Sequence, residues 1–217
     1  MNVTAILIAT ILGLVATALG IINGLMLLRG YLRDRPHLVI EVIHPDIYQW
    51  YFMLPEGTYK GDKTRKYGFL TYIGIINKGL RDVSLNSWTL HLKTKLGKWS
   101  QFRPLSIPEP QIELGQTKNL KVWPVLGQKG PLFAGDVMIK SGASIAGFAY
   151  YVAEFYSGEG WNPSVKGDKV IGKIVVQDVF GNKSSTKIGF TKIPLDKARK
   201  MIPDIDKIDL FGDEWSN

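Results

Sequence analysis

The segment GDKVIGK, Gly167 to Lys173, has the spacing of a phosphate-binding loop as far as its lysine. Such a loop needs a Ser or Thr next, to ligate magnesium, and a following helix whose N-terminal amides cradle phosphate. Here Ile174 follows, and IVVQDV continues as a strand-forming run, so this device is not expected to hold a nucleotide. Metal chemistry is equally poorly supplied, because the chain has no Cys and three His. His37 and His44 flank a strand-like run at an odd spacing, which sends them to opposite faces. Asp204-Ile205-Asp206 starts like a calcium loop, but Ile208 stands where a third oxygen ligand belongs and no Gly follows it. Ser184 and Lys187 have the Ser-x-x-Lys spacing, yet on a strand they leave opposite faces rather than meeting as on a helix. Carboxylate pairs such as Glu109 with Glu113, or Glu154 with Glu159, come without an orienting motif. No catalytic residue, metal site or cofactor is assigned, and the chain is not expected to be an enzyme unless the fold brings distant carboxylates together.

The candidate binding feature is a basic loop that interleaves Tyr59, Lys60, Lys63, Arg65, Lys66 and Tyr67. Cations beside aromatic rings suit lipid headgroups, an acidic protein partner or nucleic acid, and a solvated hairpin tip has the same composition. A membrane surface or an acidic partner is the preferred functional reading, and nucleic acid is disfavoured. Trp50, Tyr51, Trp161 and Trp215 are further candidates for exposed contact aromatics, whereas Trp88 and Trp123 are expected in the core.

What must position these residues is dominated by Val3 to Leu28, one apolar run without a charge. As a helix it reaches roughly 39 Å, enough to cross a hydrocarbon layer of about 30 Å with tilt. A cleaved signal peptide would start with a basic residue and end at small ones. Only Met1 and Asn2 precede this run, and although Ala16-Thr17-Ala18 mimics a cleavage site, Leu19 to Leu28 continues past it. The reading is therefore an uncleaved transmembrane helix over 1–28 in the cell membrane. Arg29, Arg33 and Arg35 follow the run and would meet lipid headgroups, which predicts a cytoplasmic C-terminal domain by the positive-inside rule.

On a helical wheel Ala9, Gly13, Ala16, Thr17, Gly20 and Gly24 gather on one side, with Thr10 and Asn23, while larger apolar residues cover the other. Small residues let backbones approach closely in lipid, and Gly20 with Gly24 forms a small-xxx-small pair, so a homo-oligomer through this face is expected. The polar groups there could alternatively line a narrow conduit.

After a basic juxtamembrane linker over 29–36, ended by Pro36, the pattern turns to strands. These are expected at 37–43, 46–54, 67–77, 83–95, 119–126, 132–139, 144–154, 169–179 and 184–193, the last two joined by a hairpin at Phe180-Gly181-Asn182-Lys183. A short helix over 195–202 and an acidic, partly mobile tail close the chain. That tail carries five carboxylates against Lys207, a net −4, so with +8 overall the preceding body carries +12.

The β domain over 37–194 is predicted to be an antiparallel β-sandwich. It resembles immunoglobulin-like or fibronectin-like sandwiches through a strand ending in Asn77-Lys78-Gly79, a next strand bearing Trp88, and the late hairpin VVQDVFGNKSSTKI. The resemblance spans about residues 37–193 and implies architecture only, since the antibody-type disulfide is absent and no functional residue carries over. A jelly roll is the alternative. The expected fold class is thus mainly β behind one transmembrane helix. The expected function is a single-pass, self-associating binding or scaffold module for lipid, further copies of itself and an acidic partner. A membrane effector with the sandwich as sensor is the rival, and an extracytoplasmic enzyme or solute-binding domain a third reading.

Overall fold

The computed structural model describes residues 3–59, 62–93, 97, 99–114, 119–126, 137–156 and 163–208. Helix α1 spans Val3–Arg33. Strands β1 (Leu38–Val42), β2 (Trp50–Met53), β3 (Gly57–Tyr59), β4 (Asp62–Asn77), β5 (Val83–Lys93), β6 (Trp99–Phe102) and β7 (Pro104–Leu105) follow. Then come β8 (Gln111–Leu114), β9 (Asn119–Val122), β10 (Val137–Ile139), β11 (Ser144–Tyr156), β12 (Val165–Lys166), β13 (Lys169–Asp178), β14 (Lys183–Lys192) and helix α2 (Leu195–Met201).

The protein is mainly β behind an N-terminal helix whose stretch Ile8–Leu32 is long and apolar enough to cross a membrane and is nowhere buried against the rest of the chain. Among the described residues one sheet runs β10-β5-β13-β14-β2-β4-β11-β7, with β1 and β3 beside β4, β6 beside β5 and β12 beside β13. Between named strands all pairings in it are antiparallel except the short parallel one of β14 with β2, Thr191 opposite Trp50 and Lys192 opposite Tyr51. The two layers anticipated for a sandwich are therefore two halves of one sheet, curled until it is nearly a barrel. β8 and β9 form a separate hairpin.

Alternation explains the curl. In β4 Phe69, Ile73 and Ile75 point inward, and β11 answers with Ala149, Tyr151 and Ala153. From the other half come Val83, Leu85, Trp88, Leu90, Leu92, Val170, Ile174, Val176, Ile188 and Phe190. Strict alternation along β5 would separate Leu85 from Trp88. The register shifts here, Asp178 facing Leu85 while Gln177 faces Ser87, so the extra residue Asn86 forms a bulge and returns both side chains to the core.

The strand expected over 46–54 starts only at Trp50. His44 adopts a positive φ of 50°, and the amides of Ile47 and Tyr48 donate to its carbonyl, making a turn. Gln49, 1% exposed, satisfies the corner: its Nε2 donates to the carbonyls of Ile43 (3.0 Å) and Tyr72 (3.2 Å), and its Oε1 accepts from the Thr71 hydroxyl. Buried polar groups persist in such corners when each finds a partner.

The outer face of β2, β4 and β11 is also apolar. Trp50, Phe52, Leu70, Phe148, Tyr150 and Val152 are covered by Ala198, Met201, Ile202 and Ile205 of α2 and the turn after it. The tail is thus docked as far as Ile208, not loose from Pro203: Ile205 is fully buried, the Tyr150 hydroxyl donates to its carbonyl at 3.2 Å, and Arg199 grips Asp206 through Nε (3.0 Å) and Nη2 (2.7 Å). Trp50 and Tyr51, expected as exposed aromatics, are only 7% and 6% exposed, because both faces of β2 are covered.

Candidate functional site

The opposite half of the sheet has a different outer face. On β5, β13 and β14 the outward positions carry Ser87, Thr89, His91 and Lys93, then Ile171, Lys173, Val175 and Gln177, then Lys183, Ser185 and Lys187. No helix covers them among the described residues. A groove of about 700 Å³ is lined there by Lys93, Trp99, Lys166, Lys173, Ser185 and Lys187. A second hollow of about 340 Å³ shares Lys173 and Ser185 and adds His91, Gln101 and Lys183. One end of the groove is shaped by the tight β12–β13 hairpin, Val165 opposite Val170, and by the Ser164 amide, which donates to the Lys93 carbonyl at 3.0 Å.

Register places the charges. Lys173 lies directly opposite His91 on β5 and directly opposite Lys187 on β14, and Gln101 extends the same row beyond His91. Directly opposed residues in an antiparallel pair hold their Cα atoms only about 4.5–5.5 Å apart, and like charges so placed are destabilising. The ion pairs formed among the described residues involve none of Lys93, Lys166, Lys173, Lys183 and Lys187. No carboxylate lines either hollow there.

Burial, and after it the charges of Lys173 and Lys183, hold the His91 pKa below its ordinary 6.5. Its Nε2 lies 3.1 Å from the Thr89 hydroxyl, which also reaches the Val175 carbonyl at 3.4 Å. A face of ammonium groups, hydroxyls, an amide and one indole edge has the donor set for an anion carrying several oxygens. Phosphates fit that description, with Trp99, 53% exposed, available to stack on a ring.

The residues singled out in the sequence lie elsewhere. β3 and the start of β4 form the hairpin of the basic loop, Gly57 opposite Thr64 and Tyr59 opposite Asp62. Lys60 lies outside the described residues, and for Tyr59 and Lys63 only the backbone is described. Arg65 is exposed, Lys66 pairs with Glu154 at 3.6 Å, and Tyr67 is buried in the barrel core at 9% exposure. The loop is thus split between a strand partner, the core and solvent. It opens the long β4, whereas the chain enters from α1 beside the far end of that strand, at Leu38 opposite Asn77. Roughly 50 Å of strand separates the two, several Debye lengths of about 8–10 Å.

In α1 a Cβ added at Gly13, Gly20 or Gly24 would meet nothing within 4 Å, so this face is open, as it is at Ala9, Ala16 and Thr17. Thr10 and Thr17 turn their hydroxyls onto the carbonyls of Ile6 (2.9 Å) and Gly13 (2.8 Å) of their own helix. Arg29 is exposed and Arg33 ends the helix. Arg35 packs on Tyr31, its guanidinium 4.5 Å from the ring centre. Trp161 and Trp215 lie outside the described residues, Trp88 is core at 2% exposure, and Trp123 is half-buried under Lys121, whose ammonium is 4.0 Å from the ring centre.

The rejected motifs are structural. Gly167, with φ of 67°, makes the β12–β13 turn, and Gly172-Lys173 lies within β13. Ser184 donates to the Leu38 carbonyl at 2.7 Å, and Asp204 pairs with Lys207 at 2.8 Å. Among the described residues no group of three His, Cys, Asp or Glu could hold a metal ion. The basic face was missed because its lysines are scattered along the chain. It becomes visible when the outward residues of both arms of the 169–192 hairpin are read across the Phe180-Gly181 turn.

No family model matches the sequence, and no curated protein matches it either. Among solved structures, one alignment covers 71% of this chain and 90% of an ApaA-type protein from Bordetella pertussis, at 12% identity and a TM-score of 0.27. Another covers 72% of this chain but 27% of a family 123 glycoside hydrolase from Clostridium perfringens, at 8% identity and a TM-score of 0.29. Likeness at this level carries no argument about fold or activity.

Proposed function

We propose that this chain is a single-pass, membrane-anchored binding module whose basic groove takes a phosphorylated small molecule, with a nucleotide as the favoured class. The observation that carries the reading is the row His91–Lys173–Lys187, three basic side chains facing one another across adjacent strands. Such a row costs the unliganded fold stability, and a bound polyanion would relieve it. A volume of about 700 Å³ matches the range of small-molecule sites. Catalysis is not part of the proposal: the imidazole of His91 has a hydroxyl neighbour but no carboxylate to orient and stabilise it among the described residues.

The anchor keeps the groove on the cytoplasmic side, as the arginines following the helix favour. The open small-residue face pairs copies, so that weak sites act together. Thr10 and Thr17, bonded back to their own helix, favour this pairing over a water-filled conduit. Gly20→Leu is expected to abolish the association in a bilayer crosslinking assay.

Titration of the full chain in lipid nanodiscs with pyrophosphate, ATP and adenosine tests the groove. Pyrophosphate and ATP are expected to bind, adenosine alone not to, and Lys173→Gln to weaken both roughly ten- to a hundredfold, the loss expected for one charged hydrogen bond. Equal binding by wild type and Lys173→Gln would sink the proposal.

A further inference from the structure

The end of the β domain nearest α1 carries exposed apolar side chains on its turns. Phe180 is 68% exposed, Leu80 49% and Val179 47%. The turns that bear them are held against the exit of the helix. Gly79 packs so closely on the linker that an added Cβ would lie 2.7 Å from the His37 amide nitrogen. The Lys78 amide donates to the His37 carbonyl at 2.7 Å, and Arg81 approaches Asp34 at 3.7 Å. Asn77, fully buried, locks this turn to its neighbour by donating to the carbonyls of Arg81 (2.7 Å) and Ile139 (3.1 Å).

The Phe180 turn is tied to the same end. Ser184 bonds the carbonyl of Leu38, the first residue of β1, and Val176 is level with Ser184 across the hairpin. The tip from Val179 to Asn182 therefore extends beyond the start of β1, alongside the linker. The tip is rigid: Asp178, 1% exposed, accepts from the amides of Phe180 (2.9 Å) and Asn182 (2.8 Å) and from the Asn182 side chain (2.9 Å). Gly181 at φ 87° completes the turn.

Distance then decides what these side chains meet. The apolar stretch of α1 ends at Leu32, and only Asp34 to His37 separate the helix from β1, a linker that spans at most about 14 Å when extended. The polar layer on each side of a bilayer is about 6 Å thick, and Gly79 packs against Arg35 and Pro36, a few residues past Leu32, so the turns lie within a few ångströms of that layer. Their charge suits an anionic surface, with Lys78, Arg81, Lys140 and Lys183 exposed around the apolar residues against the carboxylates of Asp34 and Asp82.

We propose that the turns bearing Leu80, Val179 and Phe180 dock into the headgroup layer, so that the lipid surface fixes the tilt of the domain and holds its basic groove at a set height. The docked occupant is lipid rather than protein, because the helix exit leaves no gap for a folded partner between these turns and the bilayer. This inference rests on the membrane-anchored reading above.

The natural absence of cysteine makes the test clean. Single-cysteine variants Phe180→Cys, Asp168→Cys in the β12–β13 turn at the far end and Leu14→Cys within α1 are labelled with an environment-sensitive fluorophore. The full-length protein is then reconstituted in vesicles of zwitterionic lipid containing anionic phosphatidylglycerol. The label at 180 is expected to emit several-fold more brightly and to be quenched by lipid-borne quencher, while that at 168 stays aqueous. If 14 is quenched and 180 is aqueous, lipid docking is overturned while the anchor stands. If 14 itself is aqueous, the anchored reading and the docking fall together.

Discussion

The two outer faces of the curled sheet are made of the same alternating strands and have opposite fates. Over β2, β4 and β11 the outward residues are aromatic and aliphatic, and the chain returns with α2 and Ile205 to cover them. Over β5, β13 and β14 they are mostly Lys, His, Ser, Thr and Gln, with Ile171 and Val175 among them, and no described helix covers them. The first face is explained by folding alone, since burying a large side chain contributes about 1.5–3 kcal/mol. The second is not: opposed cations contribute nothing to the fold, and a polar solvent face needs only mixed charges. The difference is what motivates the ligand site proposed for the second face.

Substitution at each face tests this most strongly. Phe148→Ala under α2 should lower unfolding free energy by about 3–5 kcal/mol, whereas Lys173→Gln should leave it within about 0.5 kcal/mol or raise it slightly, as read by urea denaturation. Similar losses from both would erase the distinction. Glycines give a finer contrast. A Cβ at Gly68 would come 2.5 Å from the Phe52 ring, so Gly68→Ala should cost about 1–3 kcal/mol through overpacking. At Gly189 the nearest atoms are Lys169 Cδ at 3.5 Å and Ile171 Cδ1 at 3.6 Å, ordinary contacts, so Gly189→Ala should stabilise by about 0.5 kcal/mol by stiffening the unfolded chain.

Acid sensitivity separates the faces by smaller amounts and at different pH. On the covered half the Arg199 hydrogen bond holds Asp206 below its usual 3.8. That contribution is present above 3.8 and lost as pH falls through the lower folded value. On the open half His91 is depressed below 6.5, so the unfolded chain binds its proton more readily. Stability should therefore fall as pH drops through 6.5 and level off below the folded value. Thermal melts of His91→Gln should lack the near-neutral slope and keep the acidic one.

Much of this architecture could be read from residue order. The apolar helix, the strand-rich body, the FGNK hairpin and the short helix at 195 each carry a local signal, periodicity or turn chemistry, that tertiary contacts reinforce. Three features could not be read that way. The bulge at Asn86 depends on the register of a strand about ninety residues later, and the parallel β14–β2 contact that joins the halves leaves no local trace. The basic groove needs residues from β5, β6, β12, β13 and β14 to be aligned first. In the conspicuous cluster, Tyr59 to Tyr67, sequence proximity does not set facing: Lys66 answers Glu154 and Tyr67 enters the core.

The central claim is that the open face binds a polyanion at Lys173, and the His91 imidazole is its built-in reporter, one of three histidines in the chain. Its titration, followed by NMR in the nanodisc-bound protein, should start with a midpoint below 6.5 and move upward on addition of pyrophosphate. Lys173→Gln should blunt the response. A His91 midpoint that saturating pyrophosphate leaves unchanged, or shifts no more than that of His37, would contradict the account.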